Sequence, residues 1–266
     1  MKNTHRLTPE ELSTKYRLQE DRGITIAQIE KAYKNFDEQK AILLGFSGKI
    51  AAGKDTVAPK TFSLLNEKAP QTDSFATELK KELTEIIETI AGNRDSESSA
   101  KTIAQEYNVT ENEAAHLVSL IQDEISTGKL KTGYDRTAGC RLALQYWATE
   151  VRRKRDPLYW VKPVIARALL AAAEGKSTQL TDVRFLTEAW GIMNIGGLTV
   201  RLDVSEEEQR KRILQRDGFE VSEQAKNHSS ETELDDFAHF SIRINSEDYS
   251  NAQDVAKTVY TTIKQS

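Results

Sequence analysis

Cysteine is nearly missing from this 266-residue chain. Cys140 stands alone, so no intrachain disulfide can form and a reducing compartment is expected. No apolar run approaches the ~20 residues that span a bilayer, and the polar amino-terminal stretch lacks the hydrophobic segment of a signal peptide. The expectation is a soluble, cytoplasmic protein without a membrane partner. Basic residues are not in excess either: 37 Lys and Arg stand against 41 Asp and Glu, a net charge of −4. A non-specific nucleic-acid binder is usually basic, so no nucleic-acid partner is expected. Histidine is scarce, and His5, His116, His228 and His239 show no metal-ligand spacing. There is no internal repeat. What the chain does have is enough length for a substantial core, as one α/β domain with insertions or one and a half domains.

It also has one run dense in chemistry, Gly45 to Thr56. The apolar stretch Ala41-Ile42-Leu43-Leu44 precedes it and an amphipathic segment follows, which reads as strand, glycine loop, helix. Gly48 and Gly53 frame four residues and Lys54 follows at once, matching the phosphate-binding loop in all but one place. Glycines let backbone N–H groups curl around phosphate oxygens, the helix N-terminus adds a favourable dipole, and the lysine bridges the terminal phosphates. The departure is Asp55, where Ser or Thr is usual, with Thr56 one place later. Gly48, Ala51, Ala52, Gly53, Lys54, Asp55 and Thr56 are thus the candidate nucleotide-binding residues, and an ordinary βα turn is the bland alternative.

Residues 1–40 are polar and helix-prone, with Thr8-Pro9-Glu10-Glu11 as a start signal, and read as a helical extension. Phe75, Leu79, Leu83, Ile86 and Ile90 predict one apolar helix face, and Thr110-Glu111-Asn112-Glu113 opens another helix with Ala114, Leu117, Val118, Ile121 and Ile125 inward. A loop with Gly128 and Gly133 leads to a helix over about 139–155, and a further helix is expected from Pro157. Strands are expected at 179–183, 198–204 and 240–244, and Ser205-Glu206-Glu207-Glu208 reads as a capping box. Residues 218–237 read as a mobile acidic loop, and Ser250 as the cap of a final helix. Pro59 and Pro163 fall inside expected helices. Strands alternating with helices predict an α/β fold whose parallel sheet is covered on both faces. Residues 102–126 have a helix-turn-helix rhythm, but the second helix carries four acids and no Lys or Arg, so phosphate would repel it.

Three further stretches accompany the loop. They are Asp73 to Lys80; Arg141 through Gln145 and Arg153 to Lys162; and Thr181-Asp182-Val183-Arg184, an acid and a base at a strand end. With His228-Ser229-Ser230-Glu231 and Asn245, they make residues 40–260 resemble the phage-type deoxynucleoside monophosphate kinases. A Gly-Lys-Asp-Thr loop ending also occurs in that family. The resemblance implies a P-loop kinase sandwich with a sheet of about five parallel strands, a helical insertion near 92–138 and a lid-like segment near 205–238. It further implies ATP and Mg²⁺ as cofactors, a deoxynucleoside monophosphate as acceptor, and host cytoplasm for a phage-encoded chain. A homodimer is compatible with it.

Such a kinase must bring two polyanions together. Lys54 is the candidate for stabilising the transferring group, and Thr56, Asp55 and Asp182 for holding the metal. Arg141, Arg153 and Arg184 are candidates for gripping the acceptor phosphate, with Asp73 and Lys80 beside them. Gln145, one turn from Arg141, offers an amide to a base edge. Arg212 and Arg216 resemble the lid helix of dephospho-coenzyme A kinases, and a solvated face paired with Glu206–Glu208 is the alternative for them. Trp160 reads as core rather than a stacking platform. Two other functions stay open: a kinase for another phosphorylated acceptor, as in animal-type phosphomevalonate kinases, and a regulatory ATPase without an acceptor. Gln145 separates the first in principle, because mevalonate phosphate has no base to pair.

Overall fold

The computed structural model describes residues 5–65, 70–93, 95–130, 137–217 and 228–265. They divide into a discontinuous unit, residues 1–75 with 161–266, and a contiguous helical unit, residues 76–160. The discontinuous unit holds five strands: β1 Leu43–Ser47, β2 Gln71–Asp73, β3 Thr178–Val183, β4 Leu198–Asp203 and β5 Ile242–Asn245. Every pairing is parallel, in the order β2-β3-β1-β4-β5. β1 is central, and β2 and β3 lie on one side of it while β4 and β5 lie on the other. An α/β fold with a five-stranded parallel sheet is therefore borne out. β2 is the strand that pattern reading did not locate.

Period-two alternation explains the layers. Leu44 and Phe46 of β1, Val200 and Leu202 of β4, and Ile242 and Ile244 of β5 share one buried cluster with two helices. These are α4 (Lys54–Leu64), which supplies Val57 and Phe62, and the carboxyl-terminal helix Ala252–Lys264, which supplies Val255 and Val259. Each such side chain, fully buried, contributes about 1.5–3 kcal/mol. On the opposite face, Gly45 lies so close to the helix Leu186–Asn194 that an added Cβ would sit 2.2 Å from Ile192 Cδ1. The helix Val161–Ala173 packs beside it, and Gly191 would place a Cβ 2.7 Å from Val161. Pro163 occupies the third position of that helix, where a missing N–H costs nothing, and its start at Val161 corrects the expected start at Pro157. Pro59 sits inside α4.

The amino-terminal extension forms α1 (Pro9–Tyr16), α2 (Leu18–Arg22) and α3 (Ile26–Asp37). Thr8 and Thr25 each build a reciprocal capping box. Tyr33 donates its hydroxyl to the Asn194 carbonyl, and Asn194 donates its side-chain amide to the Tyr16 hydroxyl, which ties the extension to the helix layer.

The helical unit holds α5 (Ala76–Gly92), α6 (Ser96–Tyr107), α7 (Glu111–Ser126) and α8 (Ala138–Gln145). Leu79, Leu83, Ile86 and Ile90 of α5 and Ala114, Leu117, Val118 and Ile121 of α7 are buried in one cluster with Trp147 and Trp160, with Ile125 partly buried against it, so Trp160 is core. The regular helix expected over 139–155 is corrected, because residues Tyr146–Arg153 are π-helical. Trp147 and Arg152 are five residues apart, about 140° around an α-helix but stacked when each turn closes at i+5. Their stacking is what the unit uses: the Arg152 guanidinium lies 4.6 Å from the Trp147 ring centroid. Both side chains donate to Glu82, as does the Tyr159 hydroxyl at 2.5 Å.

Further helices of the discontinuous unit, numbered on in chain order, are α9 (Val161–Ala173), α10 (Leu186–Asn194), α11 (Glu206–Asp217), α12 (Ser229–Thr232) and α13 (Ala252–Lys264). Asn251 caps α13, not Ser250, by accepting from the Gln253 and Asp254 N–H groups. The capping box at Ser205 is half right. The Ser205 hydroxyl accepts from Glu208 N–H, but it is Glu247 that accepts from the Ser205 N–H and hydroxyl. Glu208 instead pairs with Arg212. No helix among the described residues is long and apolar enough to cross a membrane.

Candidate functional site

The loop Gly48–Gly53 leaves the carboxyl end of the central strand, where the strand order reverses and ligands bind in open α/β sheets. Its shape depends on two glycines. Gly48 has φ +149°, and a Cβ there would stand 2.5 Å from the Leu202 carbonyl oxygen; Gly53 has φ +94° as the N-cap of α4. Ala51 also adopts a left-handed conformation, φ 62°. Lys54 is buried and folds back, its Nζ donating to the carbonyls of Gly48 at 2.5 Å and Lys49 at 3.0 Å. Burial first, then the nearby Arg184 guanidinium, brings its ammonium down to about 7; Asp55 and Asp182 oppose this and Arg201 adds to it. A cationic donor is thus desolvated at a helix N-terminus, an arrangement that favours an incoming anion.

Asp55 and Thr56 are exposed in the first turn of α4. They line a cavity of about 480 Å³ together with the loop, Arg212, Ser246, Tyr249 and Asn251. Arg212 turns towards the loop, donating at 3.4 Å to the Ala51 carbonyl and to the Ser246 hydroxyl while Glu208 holds its Nε at 2.9 Å. Arg212 is thus half-buried, held by Glu208 on its own helix and facing the loop. The backbone of Arg216 lies within α11, and its side chain falls outside the described residues, as do Gly133 and residues 218–227.

At the end of β3, Asp182 accepts from the Ser74 hydroxyl at 2.5 Å and from the Phe75 N–H at 3.1 Å, so it does not cap the following helix. Glu188 does that, accepting from the Arg184 and Phe185 N–H groups. Asp73 is buried in a two-point pair with Arg167, at 2.6 and 3.0 Å, rather than presented to solvent. Arg184 is one-third exposed and donates through Nη1 to Glu231.

The acidic segment 228–237 was expected to be a mobile loop, and this is corrected for the described residues. Leu234 and Phe237 are buried, and its acids dock on the loop ends. Glu231 accepts from the Ile50 N–H at 3.0 Å, Glu233 from the Leu186 N–H at 2.8 Å, and Asp235 pairs with Lys49 at 3.1 Å and Arg201 at 2.6 Å. Arg201, buried within β4, also donates to the Ser47 hydroxyl at 3.1 Å. Sequence reasoning missed Arg201, Asp235, Lys49 and Arg167. The one available signal was a charge inside the apolar run of β4, which a buried position tolerates only when paired.

Lys80, Arg141, Gln145 and Arg153 belong to the helical unit. Arg141 and Gln145 lie one turn apart on α8, as expected, with Arg141 exposed and Gln145 half-buried. Lys80 is exposed on α5, and Arg153 ends the π-helical turn half-buried. Among the described residues no group of three or more His, Cys, Asp or Glu side chains could hold a metal ion alone. Mg²⁺ in nucleotide sites rests on one or two protein oxygens, phosphates and water, and the exposed Asp55 and Thr56 oxygens suit that donor set. No protein-family model matches the chain, and no match was found among curated proteins.

Proposed function

We propose that this protein is a P-loop kinase that transfers the γ-phosphoryl group of ATP to the 5′-phosphate of a deoxynucleoside monophosphate. The observation that carries the reading is the pairing of a phosphate loop on the central strand with a one-third-exposed arginine at the end of the adjacent strand. The loop and the α4 N-terminus suit the donor phosphates, and the 480 Å³ cavity beside them has the size of a small-ligand site. Arg184 at the end of β3 suits the acceptor's phosphate, because a guanidinium grips phosphate with two parallel bonds. The acceptor is already an anion at neutral pH, so no strong base is required, and positioning and charge neutralisation carry the rate. Lys54 would leave the Gly48 and Lys49 carbonyls for the transferring group. Asp55 and Thr56 would hold Mg²⁺, with Asp182 reaching it through water, and the ion supplies neutralisation of phosphate charge when bound. Arg212 would close on the donor. The resemblance of Gln145 and Arg141 to acceptor-site residues supports a nucleotide over another phosphorylated molecule.

The test is a panel of monophosphates with ATP and Mg²⁺, followed by product identification and the Arg184→Ala variant. Loss of a charged, hydrogen-bonded pair of ~1.5–3 kcal/mol should raise the monophosphate KM ~10–100-fold and move the ATP KM far less. Slow ATP hydrolysis that no monophosphate stimulates would leave a regulatory ATPase. A rise confined to the ATP KM would move Arg184 to the donor side.

A further inference from the structure

We infer that Glu231 is a positioning residue: one buried carboxylate ties Arg184 to the backbone of the phosphate loop, and so aims the guanidinium at an anion seat beside the loop. The inference rests on the kinase reading for the identity of the anion. The side chain of Glu231 is only 5% exposed, and it uses one oxygen on Arg184 Nη1 and the other on the Ile50 N–H at 3.0 Å. Among the described residues, Nε and Nη2 of Arg184 have no protein partner, and the side chain is one-third exposed. One end of the guanidinium is fixed and the rest is left open, which is how a fork is prepared for an oxyanion.

The surroundings argue that the contact is built rather than incidental. Glu231, Glu233 and Asp235 alternate along one short segment, and each reaches a different loop end: Arg184 with Ile50, Leu186 N–H, and Lys49 with Arg201. Leu234 between them is buried, and so holds the segment in place. Burying a carboxylate is costly unless it is paired and hydrogen-bonded, and Glu231 is both. A charge-assisted anchor also removes rotamer freedom that Arg184 would otherwise lose when the anion arrives.

The experiment is calorimetric titration of wild type, Glu231→Gln, Arg184→Ala and the double variant with deoxynucleoside monophosphates, inorganic phosphate and ATP, alongside turnover. Glu231→Gln should weaken the monophosphate or inorganic phosphate about tenfold and ATP less than about twofold. In the Arg184→Ala background the same change should cost less than about twofold, because the two residues act as one. Glu231→Asp keeps the charge but shortens the reach, and serves as the second probe if the amide variant folds poorly; a loss of about threefold is expected. Additive effects, or a lower Tm with unchanged affinities, would reduce Glu231 to a structural ion pair and overturn the inference while leaving the kinase reading intact. A wild-type protein that binds monophosphate or phosphate with this coupling but transfers nothing would overturn the kinase reading and leave the inference standing. Wild type that binds neither anion overturns the inference directly.

Discussion

Lys54 offers a quantity that can be read without any turnover assay, the uptake of a proton when a phosphate ligand arrives. In the ligand-free protein its ammonium is desolvated and brought down to about 7, so at pH 8 about one lysine in ten carries the charge. A polyphosphate in the loop restores the charge, and binding at pH 8 should therefore take up about 0.9 proton; at pH 6, where the lysine is already charged and about half of the terminal phosphate is protonated, binding should instead release up to about 0.4 proton. The assay is Mg²⁺-free calorimetry with ADP at both pH values, in buffers of different ionisation enthalpy, the slope giving the proton count. At pH 8 the phosphates of the ligand are themselves deprotonated, with a second pKa of about 6. Lys54→Arg keeps a permanent charge and should abolish the uptake. The same group sets a stability trend. Its folded pKa lies below the ordinary 10.5, so from about 7 to 10.5 the unfolded chain binds more protons and stability rises with pH. Below about 7 the full penalty is present, on the order of 5 kcal/mol from the size of the drop. A proton count that is equal at pH 6 and pH 8, or that survives in Lys54→Arg, would refute the reasoning.

Two more outcomes follow from the site. Arg212→Ala, which empties one wall of the cavity, should raise the ATP KM about tenfold and the monophosphate KM less, since the side chain meets the loop at the Ala51 carbonyl. Initial-rate kinetics varying each substrate in turn decides this, and an unchanged ATP KM returns Arg212 to a solvated helix face. Asp182→Asn should lower stability by about 1–2 kcal/mol in urea unfolding, because the carboxylate serves Ser74 and Phe75. Its Mg²⁺ titration should shift little, and a clear move to higher Mg²⁺ would instead make Asp182 a direct ligand.

The glycine loop and the central strand were legible because their signal is local: an apolar run, two glycines at fixed spacing and a lysine at the helix start. The inward faces of α5 and α7 were legible for the same reason, since Leu83, Ile86, Leu117 and Ile121 recur at helical steps. β2 was not, because Gln71-Thr72-Asp73 has no apolar alternation and becomes a strand only by pairing with β3. The π-helical turn escaped because the hydrophobic pattern does not encode which carbonyl each N–H chooses, and the choice was made by Glu82, more than sixty positions away. The docked acids were hidden for a related reason. A run such as Glu231 to Asp236 looks solvated in sequence, and only the fold brings Arg184, Lys49 and Arg201 beneath it.

The helical unit is contiguous, whereas the sheet is completed only after the chain returns from it, with β2 waiting for β3. This has a consequence for folding kinetics and for tolerance to change. The helical unit can form from contacts near in sequence, while the β2–β3 pairing closes a loop of roughly a hundred residues and belongs to the slow step. Closure entropy grows only with the logarithm of loop length, so exchanging that unit for a linker of about twenty residues would lower the cost by only about 1 kcal/mol. By this closure term alone, the five-stranded sheet is almost indifferent to how many residues the chain carries between Phe75 and Val161.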